Sequence, residues 1–104
     1  MNKTIDCCLT LICHKSMEEM LVYCLLEHPE WVSGFNIARI EGHSHSATLT
    51  ILSEQVRGRA ARIEIRTLMN QEDAQLLLAH LRVTMKSREI AYWISPVTEF
   101  GRLA

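Results

Sequence analysis

The stretch Ala61-Arg62-Ile63-Glu64-Ile65-Arg66-Thr67-Leu68-Met69-Asn70-Gln71-Glu72-Asp73 decides the fold of this 104-residue chain. Ala61, Ile63, Ile65, Thr67 and Met69 alternate with Arg62, Glu64 and Arg66. A period of two is a β-strand with one apolar face, and here the other face is charged and turned to solvent or to another subunit. At Asn70 the pattern changes. Asn is a good helix N-cap, and Gln71, Glu72 and Asp73 fill the first turn, where the helix dipole favours negative charge. Ala74, Leu77, Leu78, Leu81 and Met85 then recur at helical spacing. A strand runs directly into a helix.

The same unit occurs earlier. Ile5, Cys7, Leu9, Leu11 and Cys13 alternate with Asp6, Cys8, Thr10, Ile12 and His14, which predicts a first strand. Ser16 with Glu19 reads as a capping box opening a first helix. Its stripe is Met17, Met20, Leu21, Cys24 and Leu25, widened by Val22 and Leu26, and Pro29 ends it. Trp31 to Gly34 form a turn, and a second strand runs from Phe35 to about Glu41. Its alternation slips at Ile40, which predicts a bulge. After the second helix, Ile90 to Ser95 make a fourth strand with Tyr92 and Trp93, and Pro96 stops regular pairing. The tail carries Phe100 and Leu103 and is expected to pack.

The order β-α-β-β-α-β implies an α+β domain of ferredoxin-like, split βαβ type, with a four-stranded antiparallel sheet and both helices on one face. Cys8, Ile12, Leu68, Trp93 and Val97 are candidates for the uncovered face, which predicts self-association. One domain, residues 1–104, is expected at this length. A composition of 48% hydrophobic and 22% charged residues suits a folded globular protein, and a net charge of −1 lacks the basic footprint of a nucleic-acid binder. No apolar run is long enough to cross a membrane, and the first residues do not read as a signal peptide, so a cytoplasmic location is expected. The four cysteines then read as reduced thiols, with Cys7 and Cys13 as core residues.

The segment between strands two and three carries the chemistry. Glu41-Gly42-His43-Ser44-His45 stands at one end and Gln55-Val56-Arg57-Gly58-Arg59 at the other, with Arg62 beyond. Thr48 to Leu52 reads as a short strand and Ser53 to Val56 as a helical turn closed by Gly58. His43 and His45, with Glu41 in line, can supply ligands to Zn, Ni, Co or Cu if the backbone is extended. The competing reading is two solvated loop histidines. Arg57, Arg59, Arg62 and Arg102 can form an anion site, with Gly58 permitting close backbone approach. The competing reading is a set of salt bridges to Glu54, Glu64 and Glu99. His14 and His28 end secondary elements and read as solvated or capping residues; His80 lies in a polar strip of the second helix. No catalytic constellation stands out, so an enzyme is not expected.

Val32-Ser33-Gly34-Phe35, Ile40-Glu41-Gly42 and the ending Ile94-Ser95-Pro96-Val97-x-Glu99 resemble PII signalling proteins. Glu41-Gly42-His43, Glu54-Gln55-Val56-Arg57-Gly58 and Tyr92-Trp93-x-x-Pro96-Val97-x-Glu99-Phe100-Gly101-Arg102 are similar to a narrower PII-like subgroup, often encoded beside heavy-metal cation efflux pumps. The resemblance implies a ferredoxin-like homotrimer and a regulator, not an enzyme. It implies that the segment at about 42–60 is a T-loop that docks into a partner, here a membrane metal efflux transporter. It implies small effectors in clefts between subunits near the base of that segment, so a regulator answering to a metal ion or small effector is expected; the alternatives are a direct metal-binding buffer or chaperone and a nucleotide-responsive regulator. The chain departs from PII proteins in three places. The connection Thr84 to Glu89 is short and has no glycine, Ala104 stands where a second C-terminal arginine is expected, and the segment lacks the modifiable tyrosine. These departures argue against nucleotide binding of the PII kind and against nitrogen sensing.

Overall fold

In the computed structural model, residues 3–42 and 60–104 are described. Four strands form one sheet: β1 Cys7–His14, β2 Asn36–Gly42, β3 Ala60–Met69 and β4 Ala91–Pro96, in the order β2-β3-β1-β4. Every neighbouring pair is antiparallel. Two helices, α1 Glu18–Leu26 and α2 Gln71–Thr84, complete the ferredoxin-like arrangement.

The alternation of β1 and β3 sets the layers. Leu9 faces Thr67, Leu11 faces Ile65 and Cys13 faces Ile63, and directly opposed residues share a face. These side chains are buried in one core with Leu21 and Leu25 of α1 and Leu77, Leu78 and Leu81 of α2. Each such leucine gains about 1.5–3 kcal/mol by leaving water. Cys7 and Cys13 lie in that core, as their alternation predicts.

The start of α2 forms as its sequence suggests. The Asn70 side chain accepts from the Glu72 amide at 3.0 Å, and the Asn70 carbonyl takes the Ala74 amide. The start of α1 differs. A 3-10 turn, Lys15–Met17, precedes it, and His14 Nδ1 accepts from the Ser16 amide at 3.0 Å. The cap is thus histidine at the strand end, because the chain tightens before the α-helix begins. Met20, assigned to the core stripe, is exposed, and Val22 packs on the core instead.

The bulge expected in β2 is absent. Its register with β3 runs without a slip from Asn36↔Arg66 to Gly42↔Ala60. Ile40 falls out of phase with Ile37 because it belongs to the uncovered face, opposite Arg62. That face also carries Cys8, Ile12, Leu68 and Trp93, which the register places together. Pairing in β4 reaches Pro96, opposite Cys7, and the Val97 amide donates to the Asp6 carbonyl at 3.0 Å. Pro96 lies on an edge strand of the sheet, where a missing N–H is tolerated. In the tail, Phe100 is partly covered but Leu103 is fully exposed, so the packing expected of both holds for neither completely.

Candidate functional site

His43, His45, Arg57, Gly58 and Arg59 lie outside the described residues, as do the short strand and helical turn expected between them. The structure describes Glu41, Arg62 and Arg102. Glu41 is exposed near the end of β2, opposite Ala61. Arg62 stands near the start of β3, on the uncovered face, between His14 and Ile40. Its Nε is buried with no hydrogen-bond partner among the described residues, a place where such an atom ordinarily finds an acceptor.

Arg102 lies elsewhere. Its guanidinium stands 6.0 Å from the Phe100 ring centre, in a groove of about 920 Å³ lined also by Lys3, Met69, Asn70 and Asp73. Met69 lies seven residues along β3 from Arg62, a span of about 23 Å at ~3.3 Å per residue. One subunit therefore does not bring Arg62 and Arg102 into one anion site.

A second cavity, about 470 Å³, lies between α2, β1 and the start of β4, at the same lengthwise end of the sheet as the end of β2 but on its other side. Leu11, Leu21, Leu78, Leu81 and Ile90 give it an apolar floor. Arg82, Lys86 and Arg88 give it a basic rim. Arg82 lies in the last turn of α2, and the connection after the helix brings Lys86 and Arg88 to the same mouth. Arg82 Nη2 donates to Tyr92 Oη at 2.9 Å, and the guanidinium lies 5.7 Å from that ring's centre. The volume lies in the range of small-molecule sites. An apolar floor under three cations suits a ligand with a flat or apolar body and an anionic group. Nothing in the local sequence singles out Arg82, Lys86 and Arg88, because only the fold sets them around one apolar floor.

A third cluster escaped the sequence altogether. His28 stacks on Trp31 at 4.6 Å between ring centres, and His80 of α2 meets His28 edge-on at 4.3 Å. The two Nε2 atoms are 3.1 Å apart, and His28 Nδ1 is 2.8 Å from Glu30 Oε2. The hydrogen bond from His28 holds the Glu30 carboxyl below the usual carboxylate range. A histidine after one helix and another 52 residues on carry no sequence signal of contact. Among the described residues no group of three or more His, Cys, Asp or Glu side chains is placed to hold a metal ion. Burial raises the Cys13 thiol to about 11, and Cys7 is raised by burial and by Asp6, so neither is a reactive thiolate near neutrality. No helix among the described residues is long and apolar enough to cross a membrane.

A family described as "Protein of unknown function (DUF3240)" matches residues 3–104. No curated protein matches the sequence. Among solved structures, a DUF3240 family protein from Shewanella baltica OS155 superposes with a TM-score of 0.76 at 22% identity, covering 98% of this chain and 100% of that one. CPII, a nitrogen regulatory PII-like protein from Thiomonas intermedia K12 bound to ADP, AMP and bicarbonate, gives 0.70 at 16% identity, covering 95% and 96%. A putative PII-like signalling protein from Thermus thermophilus gives 0.61 at 15%, covering 88% and 85%. The fold is that of the PII-like proteins. The chain belongs to the DUF3240 family.

Proposed function

We propose that this DUF3240 family member is a PII-like signalling protein that binds a small effector and passes the signal to a partner through residues 42–60. One observation carries this reading: the basic-rimmed cavity opens at the end of the sheet from which residues 43–59 depart. The cavity lies on the β1–β4 side of that end and β2 forms the opposite edge, so a ligand there would act on the segment across the end of the sheet, and only if it binds two arrangements unequally.

The effector proposed is an adenine nucleotide. CPII, which shares the fold, is described as bound to ADP, AMP and bicarbonate. In this chain, Arg82, Lys86 and Arg88 would supply phosphate contacts through side-chain cations, replacing a glycine-rich loop's backbone amides. Arg57, Gly58, Arg59 and Arg62 would add contacts from the segment's second end. Arg102 would join only from another subunit, because within one chain it lies at the far end of the sheet. A homotrimer, packed through the uncovered sheet face, is therefore part of the proposal. So are a cytoplasmic location, a regulatory and not catalytic role, and a heavy-metal cation efflux transporter as the docking partner. Calorimetry with ATP, ADP and AMP tests the effector. ADP should bind, and replacing Lys86 and Arg88 together by alanine should weaken it at least tenfold, since hydrogen bonds to charged groups contribute about 1.5–3 kcal/mol each. Absence of heat with all three nucleotides would sink the effector reading.

A metal effector at Glu41, His43 and His45 is retained as the second proposal, favoured by Glu41 standing exposed near the end of β2. Zinc or nickel should bind the intact protein and not its His43→Ala/His45→Ala variant. Equal binding by both would remove these histidines.

A further inference from the structure

Apart from the readings above, we infer that His28 and His80 form a two-histidine site for a late divalent transition metal, with Glu30 as the carboxylate that orients it. The inference rests on geometry at the junction between the end of α1 and the face of α2, and it does not depend on the proposed function.

His28 Nε2 and His80 Nε2 face one another at 3.1 Å. Two nitrogens bound to one metal at ~2.0–2.1 Å lie about 2.9 Å apart at a right angle and about 3.3 Å apart at the tetrahedral angle. The observed separation falls between these limits. His28 Nδ1 donates to the Glu30 carboxylate at 2.8 Å, which leaves its Nε2 as the lone-pair nitrogen. A carboxylate behind a histidine is the usual outer partner of a metal-binding imidazole, fixing its tautomer and raising its basicity. The parallel stack on Trp31 limits rotation of the His28 ring. Without metal, His80 Nε2–H donates to His28 Nε2. With metal, the ion takes the place of that hydrogen, and the His80 proton moves to Nδ1. No proton is lost or gained. The rings, now 4.3 Å apart, open by less than about 1 Å, because the metal stands ~2 Å from each nitrogen on its outward axis.

Only two protein ligands converge among the described residues, so water fills the other positions. Imidazole pairs with open positions favour nickel, copper and zinc over magnesium or calcium. The site would tie the turn after α1 to the middle of α2 across 52 residues of sequence.

Nickel is the probe, because exposed thiols reduce copper. Ni²⁺ is titrated into the full chain carrying His43→Ala and His45→Ala, which removes the other metal proposal, and followed by calorimetry and by quenching of tryptophan emission. One equivalent should bind and quench Trp31, a quench absent from the Trp31→Phe form. His80→Ala should weaken binding at least tenfold. Glu30→Gln, an exposed change that does not threaten folding, should weaken it by about tenfold, the usual effect of losing an outer partner. Nickel binding left unchanged by both Glu30→Gln and His80→Ala would overturn the inference. So would an absence of binding in the parent chain, whatever the fate of the His43/His45 reading.

Discussion

Replacing Trp93 by alanine should dissociate the proposed trimer. Trp93 lies on the uncovered sheet face, opposite Thr10, and keeps 46% of its surface exposed in the single chain. A tryptophan side chain buries about 150–250 Å² when fully covered, so roughly 70–115 Å² of Trp93 is left for a partner subunit to cover. At ~25 cal/mol per Å² this contributes about 2–3 kcal/mol per subunit. Each 1.4 kcal/mol is tenfold in an association constant, so each interface should weaken by at least about 30-fold. The single chain should lose little, since Trp93 covers the buried Thr10 but stands outside the apolar core. The assay is light scattering after size exclusion across a dilution series, with circular dichroism to verify the fold. The parent should run as a trimer and the variant should fall to monomer as it is diluted. A parent that is monomeric throughout, or a folded variant that remains trimeric at every concentration, would refute the reasoning.

Further outcomes follow from the core and its thiols. Leu77→Ala, at a fully buried position of α2, should cost about 2–5 kcal/mol in denaturant unfolding; a loss below about 1 kcal/mol would mean that the helix does not pack on the sheet as described. Thr67→Val removes a buried hydroxyl that donates to the Gly34 carbonyl at 2.8 Å, and should cost about 1–3 kcal/mol in the same assay, because that carbonyl is left without its partner. For the cysteines, a native-state thiol reagent near neutral pH should modify the partly exposed Cys24, reach Cys8 only once the proposed trimer is diluted to monomer, and spare the buried Cys7 and Cys13. Cys13 keeps its proton up to about pH 11 when folded, against an ordinary value of 9.0. Its contribution to stability is therefore fully present below pH 9 and is lost as pH rises towards 11, which alkaline unfolding curves of parent and Cys13→Ala would reveal.

The layers of this fold were legible because they rest on local patterns. Alternation in β1 and β3 named the core residues, and the Asn70 cap and the Leu77, Leu78, Leu81 spacing named α2. The misreadings came from residues whose role depends on position in the sheet. Ile40 looked like a slipped register because the sequence does not reveal that β2 presents an apolar residue on a face without helices. Ser16 looked like a cap, but His14 takes its backbone amide, since a 3-10 turn comes first. The site was less legible. Arg62 and Arg102 both read as anion ligands, and only the strand register reveals that they stand at opposite ends of one subunit. Arg82, Lys86 and Arg88 were not singled out by any local pattern, and the fold gives them meaning by bringing an apolar floor beneath them. The His28–His80 contact joins residues far apart in sequence and had no local signal at all.

The measurement that bears most directly on the proposed signalling role is hydrogen exchange of residues 43–59 with and without saturating ADP. A regulator of this kind must change the segment when its effector binds, since a ligand that binds two arrangements equally shifts neither. Exchange in 43–59 should change when ADP binds, and the Lys86→Ala/Arg88→Ala variant should abolish that change. ADP that binds and slows exchange only around Arg82 to Tyr92, leaving 43–59 unchanged, would contradict it.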